Sequence, residues 1–176
     1  NGLDPATTST RYIGGTISLN GGDGQTRILK AVSFDTFGNK GSIMSVSYLF
    51  DKSAPVITLN GSSSVSVEQG YEYIDEGASA NDAIDGEASA NIATSTNLNN
   101  LIVGTYSVIY SVSDIAGNMA STTRIVNVTP DITSPTLVIN SSSTISIEQG
   151  TTYTDAGASS TDIVDGNISA NIIITN

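Results

Sequence analysis

The sequence predicts an all-β protein built from small antiparallel β-sandwiches in tandem. Apolar residues alternate with a period of two, and glycine-containing turn sequences interrupt this alternation at short intervals. The chain also repeats itself, because residues 55–92 return as residues 135–172 at an offset of 80. A repeat of this length suits one small self-contained module, so the chain is predicted to be a stretch of a tandem array.

The repeat divides the chain into one complete module and two partial ones. Residues 1–51 carry a late half-module, residues 52–131 a complete module, and residues 132–176 an early half-module. The linkers at 51–55 and 131–135 are short and end in proline, which fixes a backbone angle. They therefore predict stiff joints between modules.

The complete module is predicted to contain strands and no amphipathic helix. The predicted strands cover residues 55–60, 64–68, 71–74, 90–95, 104–113 and 119–129. The last two form a hairpin over the turn 114–118, in which Gly117 takes the left-handed conformation that such a turn needs. Tyr106 and Tyr110 fall on the inward face by alternation, which favours core packing over a sugar-binding surface.

Composition excludes several functions. The net charge is −11, with 17 acidic and 6 basic side chains, so the surface repels nucleic acid and anionic lipid. Histidine, tryptophan and cysteine are absent, which removes the usual general base, the best sugar-stacking ring and any disulfide. The apolar runs are too short to span a bilayer, and we expect any secretion signal to lie outside this segment. We predict no catalysis, no nucleic-acid binding and no membrane insertion.

The order of the motifs points to a family. Over residues 55–131 the sequence runs through Glu-Gln-Gly, Tyr-x-Asp-x-Gly-Ala, Asp-x-x-Asp-Gly and Gly-Thr-Tyr-x-Val-x-Tyr-x-Val-x-Asp-x-x-Gly-Asn, with the first three recurring over 135–172. This order resembles the immunoglobulin-like repeats of bacterial secreted and cell-surface proteins, including the hyalin-repeat-like type and a module of some crystal toxins. Residues 12–51 resemble the C-terminal immunoglobulin-like module of hexosaminidase-type proteins. The resemblance implies an immunoglobulin-like sandwich that is secreted or displayed at the cell surface.

Oxygen-bearing side chains in linkers and turns are the candidate calcium ligands. Calcium takes six to eight oxygens, and loops at one end of a sandwich can supply them. The family resemblance also implies calcium near linkers. The alternative is that these residues only close turns, as Asp-Gly and Asp-x-x-Gly-Asn do without metal. The candidates are Asp51 and Asp131 in the linkers, Asp35 with Asn39 and Asp114 with Asn118 at hairpin turns, and Asp82 with Asp85 in a loop.

The resemblance and the repeat together favour a structural role. We expect a segment of a multi-module surface protein that acts as a stalk, fibre or adhesin shaft. One alternative is an accessory, carbohydrate-associated module of a secreted polysaccharide-degrading enzyme, and another is a toxin-associated binding module. The sequence identifies no ligand for any of these roles.

The partial modules at the two ends leave two readings open. Half a sandwich cannot bury its inner face or pair its edges. Either the segment is a window cut from a longer polypeptide, or the late half of one chain completes the early half of the next in a head-to-tail fibre. The expected partners are therefore neighbouring modules of the same or an adjacent chain.

Overall fold

A computed structural model describes residues 14–175. Predictions that involve residues 1–13, such as Tyr12 and Ile13 of the hexosaminidase-like motif, and residue 176 lie outside this range. Within it the chain forms β-strands, turns and two short 3-10 segments at Ser89–Asn91 and Ser169–Asn171, with no α-helix. The all-β prediction is confirmed for this part of the chain.

The described residues form strands of two to eleven residues, most of them bounded by glycine or asparagine turns. The strands are β1 Thr26–Ala31, β2 Met44–Leu49, β3 Val56–Leu59, β4 Ser64–Glu68, β5 Ala78–Asp82, β6 Gly86–Glu87, β7 Ala93–Thr96, β8 Gly104–Ser113, β9 Met119–Thr129, β10 Thr136–Ile139, β11 Ala158–Asp162 and β12 Gly166–Asn167.

These strands belong to four sheets. Their orders are β1-β2, β3-β5-β6, β4-β9-β8-β7 and β10-β11-β12. The pairs β1-β2, β5-β6, β10-β11 and β11-β12 are antiparallel, and β8 and β9 form a hairpin. The exception to the predicted antiparallel pattern is β4, which pairs with β9 in parallel from Ser64 opposite Ile125 to Glu68 opposite Thr129. β4 therefore depends on a partner far along the chain.

Two compact units are distinguished by their internal contacts. The first comprises residues 14–58, Ala78–Ala93 and Tyr110–Ser121 of the described range. It contains the β1-β2 and β3-β5-β6 sheets and the ends of β8 and β9. Its core groups the buried Ala80, Ala88 and Val112 with the partly buried Ile57, Ile92 and Ala120. The small side chains of Ala80 on β5 and Ala88 just after β6 therefore permit close packing around Val112.

The second unit comprises Leu59–Gly77, Thr94–Ile109 and residues 122–175. It contains β4, most of β7, β8 and β9, and the β10-β11-β12 sheet. Val126 and Val128 alternate along β9 as buried residues, and Val108 is buried on β8. These unit boundaries differ from the sequence modules, and the division into modules 1–51, 52–131 and 132–176 stays a prediction.

Strands with strong alternation are predicted well, and polar segments are not. The bounds of β4, β8 and β9 match the prediction residue for residue, and β3 lies within 55–60. The predicted strand 71–74 is wrong, because Gly70 has φ +85° and the Tyr71 N–H donates to the Glu68 carbonyl at 3.1 Å, which makes a turn. The prediction over 90–95 overlaps both a 3-10 segment and β7. β5 and β6 are missed, since Ala-Ser-Ala-Asn-Asp has low strand propensity.

Candidate metal site and linkers

Three predicted metal ligands lie together. The carboxylates of Asp51, Asp82 and Asp85 each present an oxygen within 4.8 Å of the others. Asp51 lies in the linker after β2, Asp82 is the last residue of β5, and Asp85 lies in the turn before β6. Gly86, with φ +77°, allows the tight return that brings the two loop aspartates onto one side.

In Asp51 and Asp82, one carboxylate oxygen accepts hydrogen bonds and the other oxygen has no partner. Asp82 Oδ1 accepts from the N–H groups of Ile84 at 2.7 Å and Asp85 at 2.9 Å. Asp51 Oδ1 accepts from the N–H and hydroxyl of Ser53, both at 3.3 Å. Among the described residues, Oδ2 of Asp51 and Oδ2 of Asp82 are the buried side-chain oxygens with no hydrogen-bond partner. Asp82 is only 2% exposed, so this orphan oxygen is deeply enclosed.

The electrostatics of the cluster favour a cation. Burial raises the pKa of Asp51, and the nearby charges of Asp114 and Asp82 raise it further. The N–H groups of Asp85 and Ile84 lower the pKa of Asp82, so that carboxylate stays charged. A divalent cation between the two would relieve their repulsion and satisfy both orphan oxygens. An all-oxygen donor set of this kind fits calcium or magnesium better than a transition metal.

The predicted ligands Asp114 and Asn118 close the β8-β9 hairpin. Both carboxylate oxygens of Asp114 accept from Asn118, one from its N–H and one from its amide Nδ2, at 2.7 Å each. Gly117 has φ +93°, as predicted for this turn. The Asn118 Nδ2 also donates to the Asp51 carbonyl at 3.3 Å, which joins the hairpin to the linker beside the metal site. Asp114 therefore acts on the cluster through its charge.

Asp35 and Asn39 form the same turn near the start of the described range. Asn39 donates to Asp35 through its N–H at 2.8 Å and through Nδ2 at 2.7 Å. The Asn39 side chain and backbone lower the pKa of Asp35, as expected for a carboxylate that accepts these bonds. The structure thus brings this pair together as a turn.

The second linker is held by Glu68. One carboxylate oxygen of Glu68, at the end of β4, accepts from the Ile132 N–H at 2.9 Å, the Thr133 N–H at 2.8 Å and the Thr133 hydroxyl at 2.6 Å. The Thr133 hydroxyl and the Ile132 N–H lower the pKa of Glu68. We call this group the Glu68 clamp. Sequence reasoning did not single out Glu68, and its only local signal is the Glu-Gln-Gly motif.

Asp131 lies beside this clamp and outside the Asp51 cluster. Its Oδ1 accepts from the Thr133 N–H at 3.0 Å. That N–H lowers the pKa of Asp131, but burial and the carboxylates of Glu68 and Asp162 outweigh it and raise the pKa overall. The second linker therefore also holds an aspartate whose pKa is raised by a neighbouring aspartate.

Arg124 is the second residue that sequence reasoning missed. It lies on β9 and is 1% exposed. It forms an ion pair with Asp75. A sequence signal for its burial was available, because Arg124 is in phase with the buried Val126 and Val128 under a period of two.

Core packing of Tyr110 is confirmed, since this residue is 1% exposed. Tyr106 is half-buried, and its hydroxyl donates to the Ile102 carbonyl at 2.8 Å.

No helix in residues 14–175 has the length and apolarity needed to cross a membrane.

The strand content, the sheets and the β8-β9 hairpin place the complete module in the immunoglobulin-like β-sandwich class, which confirms the predicted fold class. Residues 57–128 match the family described as "Bacterial surface protein, Ig-like domain". The match covers less than half of the chain, so residues 57–128 are similar to this family. The predicted hyalin-repeat-like type and the tandem arrangement stay predictions.

Three solved structures are similar to parts of the chain. A lipoprotein from Bacteroides thetaiotaomicron is 18% identical over 46% of this chain and 40% of its own, with a TM-score of 0.40. A structure of CBM51-2 in complex with GlcNAc and INT domains from Clostridium perfringens ZmpB is 23% identical over 51% of this chain and 21% of its own, with a TM-score of 0.36. A structure of the M60 catalytic domain with CBM51-1 and CBM51-2 from the same protein is 17% identical over 70% of this chain and 17% of its own, with a TM-score of 0.37.

At these identities and TM-scores the solved structures support no argument about function. The chain spans less than half the length of each of them. No curated protein matches the chain.

Proposed function

We propose that the chain is a structural segment of an extracellular bacterial surface protein, a building block of a stalk or fibre whose joints are held by bonded linkers. The observation that carries this proposal is the Glu68 clamp, in which one carboxylate oxygen accepts from three donors of the 131–135 linker. Charge-assisted bonds of this kind are stronger than neutral ones, so the linker is held to the end of β4.

The other linker is bonded as well. The Lys52 N–H donates to Asp23 Oδ1 at 2.7 Å, and the Lys52 ammonium donates to the Gly21 carbonyl at 2.7 Å. Pro55 closes this linker and is buried. A linker that is hydrogen-bonded and closed by proline retains little freedom, which suits a load-bearing spacer better than a flexible tether.

Calcium is proposed as the second element of the first joint. Asp51 belongs to the linker, whereas Asp82 ends β5 and Asp85 lies in the loop between β5 and β6. A cation bound by these three carboxylates would fasten the linker to that loop. Backbone carbonyls and water would complete the six to eight oxygens that calcium takes.

Distance measurements between spin labels test the proposed stiffness. The natural chain has no cysteine, so Ser121→Cys and Thr154→Cys, both at exposed positions, place one label each in the second and third sequence modules. We expect a narrow distribution of label distances, and Glu68→Ala should broaden it because the linker loses its acceptor. The matched control is Glu148→Ala, at the same position of the third module. A broad distribution in the parent chain would rule out a stiff joint at this linker.

The accessory role beside a polysaccharide-degrading enzyme is the alternative, and no contact in the described residues favours it. Two other tyrosine hydroxyls are engaged within the fold, with Tyr71 bonded to Thr133 at 3.3 Å and Tyr73 to Asp75 at 2.9 Å. Retention of the chain on chitin or cellulose would support the alternative and count against a purely structural role. The absence of enzymatic activity stays a prediction.

A further inference from the structure

Residues 68–71, which we call the Gly70 turn, are fixed to their own module by hydrogen bonds. Gly70 has φ +85°, and its N–H donates to the Asn100 carbonyl at 2.8 Å. The Asn100 side-chain amide in turn donates to the Tyr71 carbonyl at 2.9 Å. The loop before β8 therefore holds the turn in a defined position on the second sequence module.

A loop of the third sequence module lies against the Gly70 turn. A Cβ atom built at Gly70 would lie 3.0 Å from Cγ2 of Val164 and 3.2 Å from Cγ2 of Ile163. Both side chains therefore occupy the space that any residue other than glycine would need at this position. Gly70 thus has two roles, because it provides the positive φ of the turn and an apolar surface without a side chain.

The loop that carries Ile163 and Val164 is closed by an aspartate. Asp162 Oδ1 accepts from the Val164 N–H at 2.8 Å and from the Asp165 N–H at 3.1 Å, and Gly166 has φ +71°. An aspartate that accepts from the next backbone N–H groups sets such a turn without help from the side chains between. The apolar side chains at positions 163 and 164 are therefore not needed to close the loop and are available for contact with another surface.

Charge opposes the approach of this loop to the linker. The carboxylate of Asp162 lies close enough to Asp131 to raise its pKa. Two like charges favour separation of the groups that carry them. The contact at Gly70 acts in the opposite direction, because it removes isoleucine and valine surface from water.

The contact at Gly70 and the Glu68 clamp involve different parts of the third sequence module. The clamp holds the N–H groups of Ile132 and Thr133 in the linker, whereas the contact involves residues 163 and 164. An attachment at the linker alone leaves the following module free to rotate about it. A second attachment at a distant point of the same module removes this rotation.

We propose that the Gly70 turn is a docking surface for the Asp-x-x-Asp-Gly loop of the module that follows it in the same chain. The apolar pair in this loop, Ile163 and Val164, fixes the rotation of that module about the linker. The corresponding loop of the second sequence module has Ala83 and Ile84, and alanine offers less apolar surface to such a turn. The inference deepens the proposed structural role and rests on it, because it assigns a second contact to the same joint.

Nuclear Overhauser effects in the full chain test whether the contact forms. We expect cross-peaks between the α-protons of Gly70 and the methyl groups of Ile163 and Val164. The experiment needs no substitution, so it does not depend on the folding of a variant. Absence of these cross-peaks would overturn the proposal.

The spin labels at residues 121 and 154 test what the contact does. Ile163→Ser combined with Val164→Ser should widen the distribution of label distances about twofold, because modules that lack a packed apolar contact move relative to each other. The control is Ile173→Ser, which makes the same change at a side chain that is 86% exposed and should leave the width unchanged.

The outcomes separate this proposal from the proposed function. A narrow distribution in the parent chain that the double variant leaves unchanged would overturn the docking surface and keep the stiff linker. Equal broadening by the control would also overturn the docking surface, since the effect would not depend on the contact. A broad distribution in the parent chain would instead contradict the stiff joint itself, and the docking surface with it.

Discussion

Residues 57–92 and 137–172 carry the same motifs, yet one element differs between them. β10, β11 and β12 repeat β3, β5 and β6 in the same order, and the 3-10 segment follows both. The segment that forms β4 in the first copy forms no strand in the second. The β3-β5-β6 sheet pairs residues close along the chain, whereas β4 pairs with β9, about 60 residues further on. Nearly the same sequence therefore takes two conformations in the described residues, and the copy that forms a strand is the one that lies against β9.

Removal of Arg124 should make the second module resemble the third. Arg124→Met leaves Asp75 and three carbonyls without their cation, so we expect a loss of about 3 kcal/mol in the free energy of unfolding. Urea denaturation followed by circular dichroism measures this loss. Asp155→Asn changes the residue of the third module that matches Asp75, where no arginine pairs with Asp155 in the described residues, and should cost far less. Similar losses for both variants would contradict the assignment of Arg124 as the closing contact.

Substitution of Gly70, in the turn after β4, tests how closely the side chains of residues 163 and 164 pack against this turn. A Cβ at Gly70 would lie 3.0 Å from Val164 Cγ2 and 3.2 Å from Ile163 Cγ2, whereas a Cβ at Gly150 would meet nothing within 4 Å. The two glycines have φ of +85° and +86°, so alanine introduces the same backbone strain at both. Gly70→Ala should therefore cost about 1 kcal/mol more than Gly150→Ala in the same denaturation experiment. Equal costs would show that the neighbouring side chains yield freely.

Calcium should act on the first copy more than on the second. Adding calcium in place of EGTA should raise the melting temperature by several degrees, because the ion binds only the folded chain. Asp82→Asn keeps the turn acceptor but removes one ligand charge, so it should abolish most of this rise. Asp162→Asn is the control at the same position of the third module and should leave the rise intact. An unchanged melting temperature in the parent chain would exclude a calcium site at Asp51, Asp82 and Asp85.

The sequence was sufficient to predict the strands in which apolar and polar residues alternate strongly. The bounds of β8 and β9 could be predicted, because apolar residues alternate along both strands between Tyr106 and Val128 and a recognisable turn joins them. β5 could not, because its small polar residues form a strand only through contacts around Ala80. Tyr71 and Tyr73 mimic strand alternation, yet their hydroxyls bond to Thr133 and Asp75 from a turn. Local pattern cannot distinguish these cases, since long-range contacts decide them.

The candidate metal site was predictable only in part. Turn chemistry identified Asp82 and Asp85, and the linker position identified Asp51, but nothing local shows that these three converge while Asp35 and Asp131 do not. To predict that Arg124 is buried, one would have to infer that a charged residue in phase with buried valines finds an acidic partner inside the fold. Its partner Asp75 lies 49 residues earlier in the chain, so no local pattern connects the two.

The position of Arg124 has a consequence for the order in which a module can be completed. A polypeptide emerges from the ribosome N-terminus first, so the acceptors at Asn60, Ser62, Tyr73 and Asp75 appear between 49 and 64 residues before their cation. Until that residue emerges, these acceptors have no arginine between them. The arginine therefore completes the module late in synthesis, and a nascent chain halted before it would expose apolar isoleucine and valine side chains.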